Sequence, residues 1–228
     1  MTNGKFRNDK GKMSNNKRVA AVIVAAGKGE RFGSQKQFEI IRNKRVLDYS
    51  IDILKKYTEK ICVVVSKDNV EFAKSIYNGL LIAEGGAERI NSVYNGLCIL
   101  DCDIVLIHDA ARPLIDEDLV ERVINNTVLY NAAVPATAIS ETLKKGENGF
   151  IKNTINRGNM YAAQTPQGFK YDMLLNAYKK AIGSERIYTD DSSVWEKYCG
   201  MVKITKGSSK NIKITTKEDL ELAKCLLK

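Results

Sequence analysis

Apolar residues fall into two alternating kinds of run along the chain. Val19–Ala25, Ile61–Ser66, Leu80–Ala83 and Asp103–His108 are short and rich in β-branched residues, the mark of strands covered on both faces. Between them, Val46–Tyr57, Val70–Tyr77 and Arg89–Leu100 carry apolar residues at helical spacing, and Glu117–Tyr130 follows in the same way. This alternation predicts βαβ units and hence an α/β fold: a Rossmann-like, mostly parallel sheet with helices on both faces. Such sheets bind ligands beyond the carboxyl ends of their strands. The loops that follow the strands are therefore where chemistry is to be sought.

The rhythm changes between Ala132 and Ala163. Short β-type segments at Ala132–Ala138, Glu141–Lys145 and Phe150–Thr154 flank a turn at Gly146–Gly149, which predicts an arm inserted at about 132–163. An exposed two-stranded ribbon is marginally stable alone and invites a partner. Further on, Tyr171–Ile182 and Asp190–Tyr198 read as helices, and Val202–Thr205 and Asn211–Ile214 as strands. Thr216, with Asp219 three residues on, marks the start of a last helix.

Composition adds bounds. The 228 residues, 44% of them hydrophobic, suit one soluble domain with a sizeable core. No apolar run approaches the roughly 18–20 residues that span a bilayer. The first residues lack the apolar stretch of a secretory signal, so a cytoplasmic protein with no membrane partner is expected. Five cysteines without a CxxC pair or zinc spacing predict free, mostly buried thiols in a reducing compartment. The net charge of +9 invites a nucleic-acid reading, but its location argues otherwise. Six cations against Asp9 leave +5 in residues 1–18 and +4 for the rest. Residues 1–17 read as a disordered basic tail ahead of a domain over 18–228, with Met13 as a second candidate first residue. No aromatic-basic RNA motif is visible, and nucleic acid is not an expected partner.

Chemistry gathers after the strands. Ala25-Ala26-Gly27-Lys28-Gly29-Glu30-Arg31-Phe32-Gly33 follows the first one. It is neither a P-loop, lacking Gly-Lys-Ser/Thr, nor a dinucleotide fingerprint, having Phe32 at the third glycine position. Small residues here let backbone N–H groups approach a phosphate, with Arg31 and Lys36 to neutralise it; the glycines alone equally make a tight strand-to-helix turn. Gly85-Gly86 ends the third strand, with Ser92 at the start of the next helix. His108-Asp109-Ala110-Ala111-Arg112-Pro113 ends the fourth. A carboxylate there suits Mg²⁺, a ribose hydroxyl or a helix cap. His108, the only histidine, closes an apolar strand and reads as buried and hydrogen-bonded rather than catalytic, so the chemistry is one that needs no histidine base.

AAGKGERFGSQKQF, GGAERINSVYNGL, HDAARP, ETLKK, NRGNMYAAQTPQGF, TDDSSVWE and NIKITT, in that order, resemble the 2-C-methyl-D-erythritol 4-phosphate cytidylyltransferase family over about residues 18–228. The ribitol-5-phosphate cytidylyltransferases share the fold and most of these motifs. The resemblance implies transfer of the cytidylyl group of CTP to methylerythritol phosphate, with loss of pyrophosphate and a need for Mg²⁺. It makes Arg31 and Lys36 transition-state stabilisers on the triphosphate. Ala25, Ala26, Gly27 and Gly29 become the cradle of CTP, and Gly85, Gly86 and Ser92 the cytosine pocket. Asp109 falls near ribose, metal and acceptor. Arg157 and Lys213 position the acceptor phosphate, with Arg112, Thr142 and Thr165 nearby. Lys28 has no such counterpart and reads as a solvated loop residue. The resemblance also implies a homodimer with exchanged arms, in which Thr142 and Arg157 act in trans. Three positions depart from the common pattern: Gln35 stands for Pro, Glu141 for Asp and Asn156 for Asp. The last two bear on the acceptor, and leave a pentitol phosphate as the alternative.

Overall fold

The computed structural model describes residues 17–27, 29 and 32–227. The expected tail up to residue 16, together with Lys28 and Arg31, lies outside the described residues. The chain runs β1 (Val19–Ala25), β2 (Ile40–Ile41), β3 (Lys44–Arg45), α1 (Val46–Leu54), β4 (Lys60–Val65), α2 (Val70–Ile76) and β5 (Leu81–Glu84). Next come α3 (Arg89–Cys98), β6 (Ile104–Asp109), α4 (Glu117–Tyr130), β7 (Ala132–Ala138), β8 (Lys144–Glu147), β9 (Phe150–Thr154) and β10 (Tyr161–Ala163). It closes with β11 (Gln167–Lys170), α5 (Tyr171–Ala181), α6 (Asp191–Tyr198), β12 (Lys203–Lys206) and α7 (Lys217–Leu226).

One sheet carries the order β10-β7-β11-β6-β1-β4-β5, with β12 paired to β7. β5, β4, β1 and β6 are mutually parallel. Because side chains alternate across a strand, β1 sends Ala20 and Val22 to one face and Ala21, Ile23 and Ala25 to the other. The first face is covered by α3, α5 and α6 through Leu97, Leu174, Tyr178 and Trp195. The second is covered by α1, α2 and α4 through Leu47, Leu54, Ala73 and Val120. A third, smaller cluster of Phe32, Ile41, Val46, Ile214 and Leu220 seats α7 beside the β2–β3 hairpin. Since β1 pairs with β4 on one side and β6 on the other, strand order reverses at β1, and a crevice opens beyond its carboxyl end.

The pattern-based expectations hold for the parallel half and for α5, α6 and β12, and need correction at the arm and in the loop before α7. β11, unanticipated, runs antiparallel between β6 and β7. It is only four residues long, and Gly168 within it carries no side chain to signal a strand. A Cβ there would stand 2.2 Å from Thr127 Oγ1, so the glycine lets α4 lie close. Ala132–Ala138, expected in the arm, is the buried strand β7 of the main sheet. What projects is shorter: β8 and β9 pair only with each other, every residue of both is exposed, and β8 begins at Lys144 rather than at Glu141. Asn211–Ile214 is not a strand. Its backbone bonds to loops instead, with Asn211 N–H donating to the Ser208 carbonyl and Ile214 N–H to that of Ala111. Thr216 caps α7 as expected, its hydroxyl accepting from Asp219 N–H at 3.4 Å. The thiols are free, but only Cys62 and Cys102 are buried; Cys98 and Cys225 are exposed. Among the described residues, no helix is long and apolar enough to cross a membrane.

Candidate functional site

A cleft of about 630 Å³ lies over the carboxyl ends of β1, β5 and β6. Much of its lining is alanine and glycine, which leaves the main chain accessible. Ala25, Ala26, Gly27 and Gly29 line it from the first loop, Gly86 and Ser92 from the turn into α3, and Asp109 from the end of β6. Lys36, in the short 3-10 turn that ends the first loop, and Lys213, in the loop before α7, also line it. Gly85 lies beneath this wall. A Cβ on it would stand 2.4 Å from Ala26 Cβ and 3.1 Å from Ser92 Oγ, so a glycine is required where the two turns meet. Ser92 Oγ accepts from Gly86 N–H at 3.1 Å and donates to the Glu88 carbonyl at 3.1 Å, which fixes the turn. Gln37, given no role by sequence reasoning, is buried and braces the first loop by donating to the Ala25 carbonyl at 2.8 Å.

Asp109 is the electrostatic centre. Lys213 Nζ donates to its Oδ2 at 2.6 Å, and Arg89 approaches its Oδ1 through Nη2 at 3.2 Å and Nε at 3.4 Å. Burial alone would raise the carboxyl, but the charges of Arg89 and Lys213 outweigh it and hold Asp109 well below the usual carboxylate range. Arg89 continues inward. Its Nη1 and Nη2 chelate Asp191 at 3.0 and 2.8 Å, and Tyr178 OH donates to the same carboxylate at 2.6 Å. Both Arg89 and Asp191 lie in motifs of the chain, yet no pattern assigned them a task. They meet only because α3, β6 and α6 converge.

Behind Asp109 stands a second network. His108 is wholly buried, and burial pushes its imidazole down to about 4. The Arg112 carbonyl, 3.2 Å from Nε2, can only accept, so the neutral ring carries its proton on Nε2. Nδ1 then accepts from Thr165 Oγ1 at 2.9 Å, while Thr165 Oγ1 accepts from Asp109 N–H at 3.1 Å. The Thr165 hydroxyl is therefore committed to the interior, bearing on the placement of Asp109. Arg112 likewise donates to the carbonyls of Asn211 at 2.8 Å and Ala163 at 3.4 Å, tying down the loop that carries Lys213. Thr142 and Arg157, at the root of the projecting hairpin, are exposed and do not line this cleft; Arg157 donates to the Ser140 carbonyl.

Such a cleft, lined by small residues, with the largely buried Asp109 and the cations Lys36, Arg89 and Lys213 about it, is suited to a polyphosphate and a second anion. Comparisons with known proteins point the same way. The family model "IspD: 2-C-methyl-D-erythritol 4-phosphate cytidylyltransferase" matches residues 19–228. A protein of that name from Clostridium novyi is 39% identical over 222 residues, 91% of this chain and 95% of that protein. The bifunctional enzyme IspD/IspF of Rhodospirillum rubrum is 39% identical over 92% of the chain, which spans 57% of that longer protein. Among solved structures, 4-diphosphocytidyl-2C-methyl-D-erythritol synthase from Anaerococcus prevotii superposes with a TM-score of 0.79 at 32% identity, covering 93% of this chain and 99% of the other.

Proposed function

Since the chain belongs to the 2-C-methyl-D-erythritol 4-phosphate cytidylyltransferase family, we propose that it transfers the cytidylyl group of CTP to 2-C-methyl-D-erythritol 4-phosphate. The products are CDP-methylerythritol and pyrophosphate. The attacking atom is a phosphate oxygen, and a phosphate monoester with a second pKa of about 6 is largely ionised at neutral pH. No general base is required, which agrees with a buried, neutral His108. The enzyme's task is to hold two polyanions together and to stabilise charge on the α-phosphate as it becomes five-coordinate.

Each part of the cleft has a share in this task. The narrow wall of Gly85, Gly86 and Ser92 takes the cytosine and leaves no depth for a purine. The backbone of Ala25 to Gly29 takes the phosphates, and Lys36, with Arg31 from the same loop, stabilises the transition state. Lys213 receives the acceptor phosphate. Thr142 and Arg157 are supplied by the arm of a second subunit in a two-fold dimer. Mg²⁺ favours one or two carboxylates together with phosphate oxygens. Among the described residues there is no cluster of three acids, histidines or cysteines; the hard oxygens of Asp109 fit a Mg²⁺ whose other ligands are phosphate and water. Bound there, the metal would neutralise charge on the triphosphate.

The observation that supports the reading most is the position of Asp109, between Arg89 and Lys213 in a cleft lined by alanine and glycine. Purified protein should release pyrophosphate from CTP fastest with methylerythritol phosphate as acceptor. Faster turnover of ribitol 5-phosphate would reassign the acceptor. No turnover with either would remove the transferase reading altogether.

A further inference from the structure

The charged chain does not stop at the cleft wall. Asp191, the first residue of α6, has a side chain that is 0% exposed, and its ion-pair partner Arg89 is the residue that links it to the cleft. Its oxygens are filled by Arg89 Nη1 and Nη2 and by Tyr178 OH. Arg89 thereby uses two edges of one rigid plane: the Nη1/Nη2 edge chelates Asp191, and the Nε/Nη2 edge faces Asp109 Oδ1. A lysine could not make both contacts, because an ammonium has no such fork. A buried ion pair contributes little net stability, since desolvation offsets the Coulombic attraction. Its effect here is geometric.

We propose that Asp191 is a positioning residue for cytidylyl transfer, acting through Arg89 to fix the Asp109 carboxylate in the cleft. Without Asp191, the Arg89 guanidinium would keep only its Asp109 contact and, lining the cleft, could turn toward an incoming triphosphate. With Asp191, the plane of the guanidinium is fixed by two bonds, and its other edge stays on Asp109. The arrangement also leaves Asp109 with a second cationic partner when substrate phosphate competes for Lys213, whose ion-pair partner among the described residues is Asp109, whereas Arg89 is held by Asp191 as well. The inference rests on the cytidylyltransferase reading for its rate effects, but the brace itself has a signature that needs no substrate.

That signature is the Arg89 Nε–H. In ¹⁵N-labelled wild-type protein without ligand, it should appear as a slowly exchanging resonance, identified by its loss in Arg89→Lys. Asp191→Asn should broaden or abolish it while circular dichroism stays native. In the assay with CTP and methylerythritol phosphate, Asp191→Asn should lower kcat/KM on the order of tenfold or more, as is typical when a group that orients a site residue is removed. In an Arg89→Lys background, the same change should cost less than threefold further, because its route of action is already cut. An unchanged Arg89 resonance in Asp191→Asn, wild-type kcat/KM, or fully additive losses would each overturn the proposal. If Asp191→Asn does not fold, Arg89→Lys decides: the fork is needed only if that variant is folded and at least tenfold impaired. A wild-type protein that turns over neither acceptor would refute the reaction, and the resonance would still report on the brace.

Discussion

Lys213 has two claims on it. Its ammonium sits 2.6 Å from Asp109 in the free protein, and its exposure leaves it able to reach a substrate phosphate. Lys213→Ala should therefore impair use of the acceptor far more than binding of CTP. A lost hydrogen bond to a charged group is worth about 1.5–3 kcal/mol, or roughly ten- to hundred-fold in acceptor KM. Because Lys213 also helps to keep the depressed Asp109 carboxyl ionised, its removal raises that pKa. Ionisation of Asp109 is then lost at higher pH as the solution is acidified, which titration of the free protein would read directly. Calorimetry that found CTP affinity lost and acceptor dependence unchanged would put this lysine on the nucleotide instead. Residues of this kind were legible from sequence because glycines and cations stand in short contiguous motifs. Arg89 and Asp191 were not. Their meaning lies in a pairing across 102 positions, and a charged residue at the start of a helix reads equally well as a solvated one.

At the level of elements, the end of β6 is held by a hydrogen-bond chain that joins α1, through Ser50, to the Thr165 loop. His108 Nε2 lies 3.0 Å from Ser50 Oγ, and Nδ1 accepts from Thr165. A buried histidine lowered from 6.5 to about 4 is neutral in the native state. The unfolded chain binds its proton first, so the stabilisation is complete above pH 6.5 and is lost progressively as pH falls toward about 4. This linkage is worth on the order of 3 kcal/mol across that window. His108 is the only histidine in the chain, so unfolding free energy measured in urea should fall between pH 6.5 and 5 with a slope approaching one proton. His108→Gln should be less stable at pH 7.5 and nearly flat over the same interval. Wild-type stability that did not change there would mean that the ring is protonated in the fold. The four parallel strands and their helices were readable because they are apolar at a clear period. β10, β11 and the segment 211–214 were not, because short strands and loops tied down by Gln164, Arg112 and Asn211 side chains leave no period to read.

At the scale of the whole molecule, one projecting element among the described residues stands apart from the main sheet. Among the described residues, β8 and β9 pair with no other strand, and the hairpin carries Phe150 at 79% and Ile151 at 68% exposure. Two strands of this kind are marginal in water without a partner surface. Arg157 and Thr142, needed by the proposed chemistry, sit at the base of that hairpin and away from the cleft of their own chain. A two-fold dimer with exchanged arms answers both facts, and subunit mixing tests it. Lys36→Ala removes a cation that lines the cleft, and Arg157→Ala removes one on the arm. Each variant alone should be nearly inactive. Mixed in equal amounts under conditions that let subunits exchange, half of the dimers become hybrids. In each hybrid, the subunit that keeps Lys36 receives the arm that keeps Arg157, and the other site lacks both groups. One site in two is then intact in half of the dimers, so activity should return to about a quarter of wild type under reciprocal two-fold geometry. Exchange is checked independently by a tag on one variant. If the tag captures hybrids and activity stays at the level of the parents, each arm serves its own cleft and the trans arrangement is wrong.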